Sequence, residues 1–181
     1  PNEGAKKCVI FVHGGSANRY QMLAEAHELV RRGIGVLLYD SRASGESEGR
    51  MMTWGDSEQL DLTAALDFIE TQSKDERWLI GVQGFSVGAT TAALVAAKDQ
   101  RISALLLNAV WPSLKQEIAY KTRSFGGLDA KVLTVFRLLG LRVGKIRPID
   151  AVQHLTPRPL LMIAGSADED TPLWAFESIY E

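Results

Sequence analysis

Two rhythms of apolar residues alternate along the chain. Short continuous apolar runs at Cys8–Val12, Gly35–Tyr39, Trp78–Val82, Ile102–Leu107 and Leu160–Ala164 predict β-strands. Unbroken apolar strands of this kind are expected in a parallel sheet covered on both faces. Between them, apolar residues recur at helical spacing. A helix is predicted from Asn18, with Gln21 placed to reach back as in a capping box. Met22, Ala26, Leu29 and Val30 form its stripe and Gly33 ends it. A second helix carries Leu62, Ala65, Leu66 and Ile69, with Asp56 as its expected cap. A third is the alanine-rich run at 89–97. The alternation predicts an α/β fold, a mostly parallel doubly wound sheet flanked by helices.

Residues 112–158 break the alternation and are expected to form a helical insertion, a possible small lid on a single domain spanning 1–181. Leu128, Val132, Val135 and Leu139 are predicted to share one apolar face. The stretch 130–149 also holds Lys131, Arg137, Arg142, Lys145 and Arg147 with no acidic residue. Such a segment can pack its apolar face on the body or rest on an anionic membrane surface. The first arrangement is the preferred expectation.

With 181 residues and 46% apolar content, the chain has material for one substantial core. A net charge of −2 with both signs dispersed gives no nucleic-acid footprint. The single cysteine, Cys8, lies in an apolar run and reads as a small core residue. No apolar stretch is long enough to span a bilayer and no secretory signal is visible, so a reducing cytoplasmic setting is expected. The chain opens on Pro1 rather than a methionine. Nothing in the sequence speaks to oligomeric state.

The chemistry concentrates around Gly84-Phe85-Ser86-Val87-Gly88, which sits between an apolar run and the alanine-rich helix. A serine at the apex of such a strand-to-helix turn presents its hydroxyl to a cleft, and the flanking glycines let strand and helix close on each other. The helix start adds N–H groups and a positive dipole end. A serine nucleophile also needs oxyanion donors, an acid and a base. Small residues at His13-Gly14-Gly15-Ser16 can turn backbone N–H groups into the cleft. Past the last predicted strand, Asp168 is the expected acid, with Asp170 behind it and expected to cap the helix begun at Pro172. The chain has neither zinc-type ligand spacing nor a phosphate-binding Gly-x-x-x-x-Gly-Lys, so neither a metal nor a cofactor is expected.

Taken in order, four features resemble the α/β-hydrolase superfamily. They are the strand ending in His13-Gly14-Gly15, the loop Asp40-Ser41-Arg42-Ala43-Ser44-Gly45-Glu46-Ser47, the Gly84–Gly88 turn, and Gly165-Ser166-Ala167-Asp168 with Pro172. Ser47-Glu48-Gly49 with Asp61 and Ala64-Ala65-Leu66-Asp67 is similar to the branch of small esterases and serine-aminopeptidase-like hydrolases. The resemblance implies Ser86 as nucleophile and Asp168 as acid. It implies the N–H groups of Gly15 and Val87 as oxyanion hole, with Ser16 in place of Gly15 as an alternative. Asp40 and Arg42 match positions that hold loops together. The implied activity is hydrolysis of an ester, thioester or amide of a small acyl substrate through an acyl-enzyme.

One part is missing. The family order is nucleophile, acid, then histidine, yet no histidine follows Asp168. His13 is expected to brace its turn, His27 to lie at a helix surface, and His154 precedes the acid. The sequence is therefore expected to be incomplete at both ends, with the base supplied from elsewhere. Two other classes remain open: a non-catalytic hydrolase-like binding domain, and an acyltransferase using the same serine.

Overall fold

The computed structural model describes residues 6–73 and 78–180; the ends of the expected domain, 1–5 and 181, lie outside them. Five strands form one sheet, β1 (Lys6–Val12), β2 (Gly35–Leu38), β3 (Trp78–Phe85), β4 (Ile102–Asn108) and β5 (Leu160–Ile163). Their spatial order is β2-β1-β3-β4-β5 and every neighbouring pair is parallel. Each crossover includes helix: α1 (Leu23–Arg31), α2 (Glu58–Ser73) and α3 (Val87–Ala96), then α4 (Leu114–Lys121), α5 (Leu128–Leu138) and α6 (Pro148–Val152) between β4 and β5. Helix α7 (Leu173–Tyr180) comes after the last strand. The predicted α/β class and parallel sheet are the ones the chain adopts.

Strand alternation divides the core in two. Cys8, Ile10 and Val12 point to one face with Ile80, Val82, Leu105 and Leu107, where Leu62, Leu66, Ile69 and the whole of α3 pack on them. Phe11 points to the other face and meets Met22 and Ala26 below α1, with Val9, Leu29, Val36 and Leu38 around them. On that second face the sheet beyond α1 is open. A hollow of about 380 Å³ is lined there by Leu29, Gln83, Ala104, Leu106 and Leu161 among others. The apolar run of β5 is accordingly not buried on both faces, and Leu161 is 56% exposed.

Helix α1 departs from its predicted start. Asn18 does cap, accepting the Tyr20 N–H at 3.0 Å, but a 3₁₀ turn, Arg19–Met22, intervenes before the α-helix begins. Gln21 does not reach back to Asn18. Its side chain takes the Gly14 N–H instead. Asp56 does not cap α2 either. It is buried, and its carboxylate accepts the backbone N–H of Arg142 at 2.9 Å and the Arg142 guanidinium at 2.7–2.8 Å. The carboxylate that organises the start of α2 is Glu58, also buried, which accepts from Thr53 N–H, Thr53 Oγ1 and Gly55 N–H.

The predicted face of α5 is rotated. Leu133 is buried and Val132 and Phe136 pack on the core, with the Phe136 ring 4.6 Å from that of Trp54. Leu128, Val135 and Leu139 are exposed instead. The neighbouring Trp54 ring and the Arg142–Asp56 bond fix the helix by its other side, and spacing alone could not choose between two adjacent apolar arcs. Among the described residues no helix is long and apolar enough to cross a membrane.

Candidate active site

Five non-glycine residues have positive φ: Ser16, Ala43, Trp54, Ser86 and Ala109. All lie in segments leaving the carboxyl ends of β1 to β4, on one edge of the sheet. Strain of this kind persists only where the surrounding structure imposes it, and in open parallel sheets that edge is where ligands bind.

Ser86 is one of them. It stands between β3 and α3 at φ 53°, ψ −116°, with its N–H bonded to Asn108 O at 2.9 Å and its C=O taking the Thr90 N–H at 3.0 Å. The backbone is thus pinned on both sides while the half-buried side chain makes no hydrogen bond among the described residues. The two glycines are required for a steric reason. A Cβ on Gly84 would come within 2.6 Å of Ala89 Cα, and one on Gly88 within 2.6 Å of His13 O. Gly88 is thus needed for the approach of α3 to the end of β1 rather than to β3.

The turn after β1 lies against this elbow. A Cβ on Gly15 would sit 3.4 Å from Val87 Cγ2 and 3.0 Å from Met52 Sδ. Gly14 N–H is consumed by Gln21 Oε1 at 2.8 Å. The Gly15 N–H has no hydrogen bond among the described residues. Val87 is the first residue of α3, so its N–H has no helical carbonyl to bond. Gly15 thus packs on the side chain of Val87, the residue after Ser86, and both amides are without a hydrogen bond among the described residues.

Asp168 lies beyond β5 on the same edge. Strand β4 separates β5 from β3, which sets their axes roughly 10 Å apart. One oxygen of Asp168 accepts the N–H groups of Asp170 and Thr171 at 2.8 and 2.9 Å. Both amides precede α7, so Asp168 closes the turn before the helix rather than capping it, and its second oxygen has no hydrogen bond among the described residues; the capping expected of Asp170 is not made there. Asp170 is exposed and ion-paired to Lys121 of α4 at 3.0 Å.

None of the three histidines reaches Ser86. His13 is buried and fully engaged: Nε2 accepts the Ser41 N–H at 3.0 Å, so the ring proton is on Nδ1, 2.8 Å from Gly14 O. It braces the turn, as expected. His27 is exposed on α1. His154 lies ahead of β5 at the amino end of the sheet. There Arg158 binds His154 O together with Ala96 O and Ile102 O, on the side away from Ser86.

The Asp40–Ser47 loop is held as its resemblance implies. Asp40 accepts Arg19 N–H at 2.7 Å, the Arg19 guanidinium at 3.0 Å and Glu46 N–H at 3.0 Å. Burial pushes its carboxyl up, but those N–H groups and the guanidinium outweigh it and hold the group below the usual range. Arg42 makes a two-pronged pair with Asp61, its closest contact 2.7 Å. Neither residue is free to react.

Several contributors were not legible in the sequence. Trp111 lies just past β4 and packs its ring 5.5 Å from Tyr120 and 5.7 Å from Trp174, tying α4 and α7 to the site edge. Glu117, also on α4, is pushed up to about 7, chiefly by burial; Lys121 opposes this and Asp170 adds to it. No spacing rule joins residues this far apart in sequence.

A parallel sheet with a strained serine turn after β3, a glycine turn after β1 and an acidic loop after β5 defines an α/β hydrolase. The chain belongs to the serine aminopeptidase S33 family, whose sequence model matches residues 3–148. It is 27% identical to the uncharacterized protein YqkD of Bacillus subtilis, covering 96% of this chain and 59% of that one. It is 32% identical over 101 residues to the thiohydrolase aneE of Aspergillus aculeatus, covering 54% of this chain and 32% of the relative. Among solved structures, the Pyrococcus furiosus esterase Pf2001 superposes with a TM-score of 0.78 at 26% identity, covering 98% of this chain and 68% of the esterase. The chain thus spans less than two thirds of the curated relatives YqkD and aneE.

Proposed function

We propose that this chain carries the nucleophile, oxyanion donors and acid of a serine hydrolase acting on a carboxylic ester, thioester or amide. The observation that carries the reading is Ser86: a strained apex whose backbone is tied down, whose hydroxyl has no hydrogen bond among the described residues, and whose neighbour Val87 packs on the glycine turn at Gly15. Similarity to Pf2001, an esterase, and to aneE, a thiohydrolase, supports an acyl substrate.

In this reading Ser86 Oγ attacks the acyl carbon. The carbonyl oxygen takes up negative charge and accepts the N–H groups of Gly15 and Val87. A histidine from outside the described residues takes the serine proton and passes it to the leaving group. Asp168 orients that histidine through its unused oxygen. Water then attacks the acyl-serine, with the same histidine as base, and frees Ser86.

A second reading, a hydrolase-like domain that binds but does not turn over, differs from the first in having no base at Ser86. Turnover of p-nitrophenyl and thioester acyl substrates by the protein expressed from its complete gene separates the two. Hydrolysis that falls by a factor of about 10³ or more in Ser86→Ala supports the enzyme. Equal rates in both proteins, at or above background, reject it.

A further inference from the structure

The thioether of Met52 lies against the glycine turn. A Cβ on Gly15 would come within 3.0 Å of Met52 Sδ and 3.2 Å of its Cε, closer than the 3.4 Å to Val87 Cγ2. Met52 also lines a cavity of about 10 Å³ with His13, Gly14, Val87 and Gly88. It therefore sits where the turn after β1 meets the start of α3. The residue is half-buried, so part of it is open to solvent. Of the other methionines, Met22 is buried beneath α1, and Met51 and Met162 pack on the main core.

A thioether is a weak hydrogen-bond acceptor. Beside it, the Gly15 N–H makes no hydrogen bond among the described residues. One added oxygen changes this pairing, because a sulfoxide is polar where the thioether is apolar. The cavity at Met52 is no larger than a single water needs. An oxygen on the sulfur therefore either accepts the Gly15 N–H or pushes the turn away from Val87. Both outcomes take from Ser86 a donor that the hydrolase reading gives it.

We propose that Met52 is a modification site, oxidised by hydrogen peroxide to the sulfoxide, and that the modified side chain closes the Gly15 amide to an oxyanion. The sulfur lone pair attacks one peroxide oxygen, and the O–O bond breaks as the S–O bond forms. The proton on the transferred oxygen passes to the departing hydroxide, giving water. Sulfur loses two electrons and peroxide gains them. A thiol-dependent sulfoxide reductase reverses the step, releasing the oxygen as water while two thiols become a disulfide. The effect on turnover rests on the hydrolase reading; the change at Gly15 does not.

The test treats the complete-gene protein with hydrogen peroxide, removes the peroxide, and maps sulfoxides by peptide mass spectrometry. Met52 should gain one oxygen. Turnover of p-nitrophenyl acetate should fall about 100-fold in the oxidised protein, as for the loss of one oxyanion donor. It should return on treatment with methionine sulfoxide reductases and thiol. Met52→Leu, which conserves volume, should keep its own untreated rate after peroxide, whereas Met51→Leu should lose activity as the wild type does. The amide resonance of Gly15 should shift in the oxidised wild type and stay in place in peroxide-treated Met52→Leu. That readout needs no turnover: a protein that hydrolyses no ester fails the hydrolase reading, and the Gly15 resonance still decides this proposal. Three results overturn it: no oxygen gained by Met52, full conversion of Met52 with the Gly15 resonance unmoved, or equal loss of activity in Met52→Leu.

Discussion

Gln21 Oε1 holds the N–H of Gly14 at 2.8 Å, seven residues back along the chain, and leaves the next amide, that of Gly15, unspent beside Val87. In the hydrolase reading, the side chain therefore decides which of two adjacent glycines can serve an oxyanion. Gln21→Ala strands a partly buried donor and should cost about 1 kcal/mol of stability. In the hydrolase reading it also lets the turn relax, so kcat should fall about tenfold with KM little changed. A melting curve and steady-state kinetics on the same preparation check both parts.

Gly88 permits α3 to approach the end of β1, because a side chain there would run into the carbonyls of Val12 and His13. Backbone cannot step aside as a flexible side chain can. Gly88→Ala should therefore destabilise by about 3 kcal/mol or more, as read by urea unfolding. The nearest atoms to a Gly15→Ala methyl are Met52 Sδ and Cε and Val87 Cγ2, all ends of side chains, so this variant should unfold near the wild-type midpoint.

Local encoding is the part of this molecule that is legible in its sequence. The Gly84–Gly88 spacing, the strand runs and the Gly33 stop all read directly, because each is set by sterics within a few residues. Gln21 and Asp56 mislead for one shared reason. A carboxamide or carboxylate near a helix start satisfies the capping pattern, yet both residues have stronger partners elsewhere: Gly14 across a turn, and Arg142 at a sequence separation of 86. The face of α5 misleads because Leu128, Val132, Val135 and Leu139 repeat as cleanly as the set that is buried. Only the place of Trp54 and Asp56 selects between them. Of the site itself, the Ser86 turn can be found by eye. The turn closed by Asp168 and the spent Gly14 amide cannot.

The Arg142–Asp56 bond joins the segment between β4 and β5 to the start of α2, and it is asymmetric. The Asp56 side chain is 6% exposed and that of Arg142 61%. Losing the arginine leaves a buried carboxylate with one backbone N–H, whereas losing the aspartate leaves a guanidinium in water. Arg142→Met should lower the denaturation midpoint, and Asp56→Asn in the same protein should recover part of the loss. A double-mutant cycle measured by chemical denaturation gives the coupling.

Glu117 makes stability fall with rising pH. Its folded-state value of about 7 lies above the ordinary 4.5, so its contribution is fully present below about 4.5. It is lost as pH rises through 7. Glu117→Gln should thus leave stability near pH 4.5 little changed and raise it at pH 8, by up to an amount on the order of 3 kcal/mol. Melting the two proteins across that range checks the sign.

The central claim is that Ser86 is a nucleophile presented between two oxyanion donors. Labelling the complete-gene protein with a fluorophosphonate and locating the adduct by peptide mass spectrometry tests it most directly. The account predicts one adduct, on the peptide carrying Ser86, and none in Ser86→Ala. An adduct on another residue, or equal labelling of the two proteins, would contradict it.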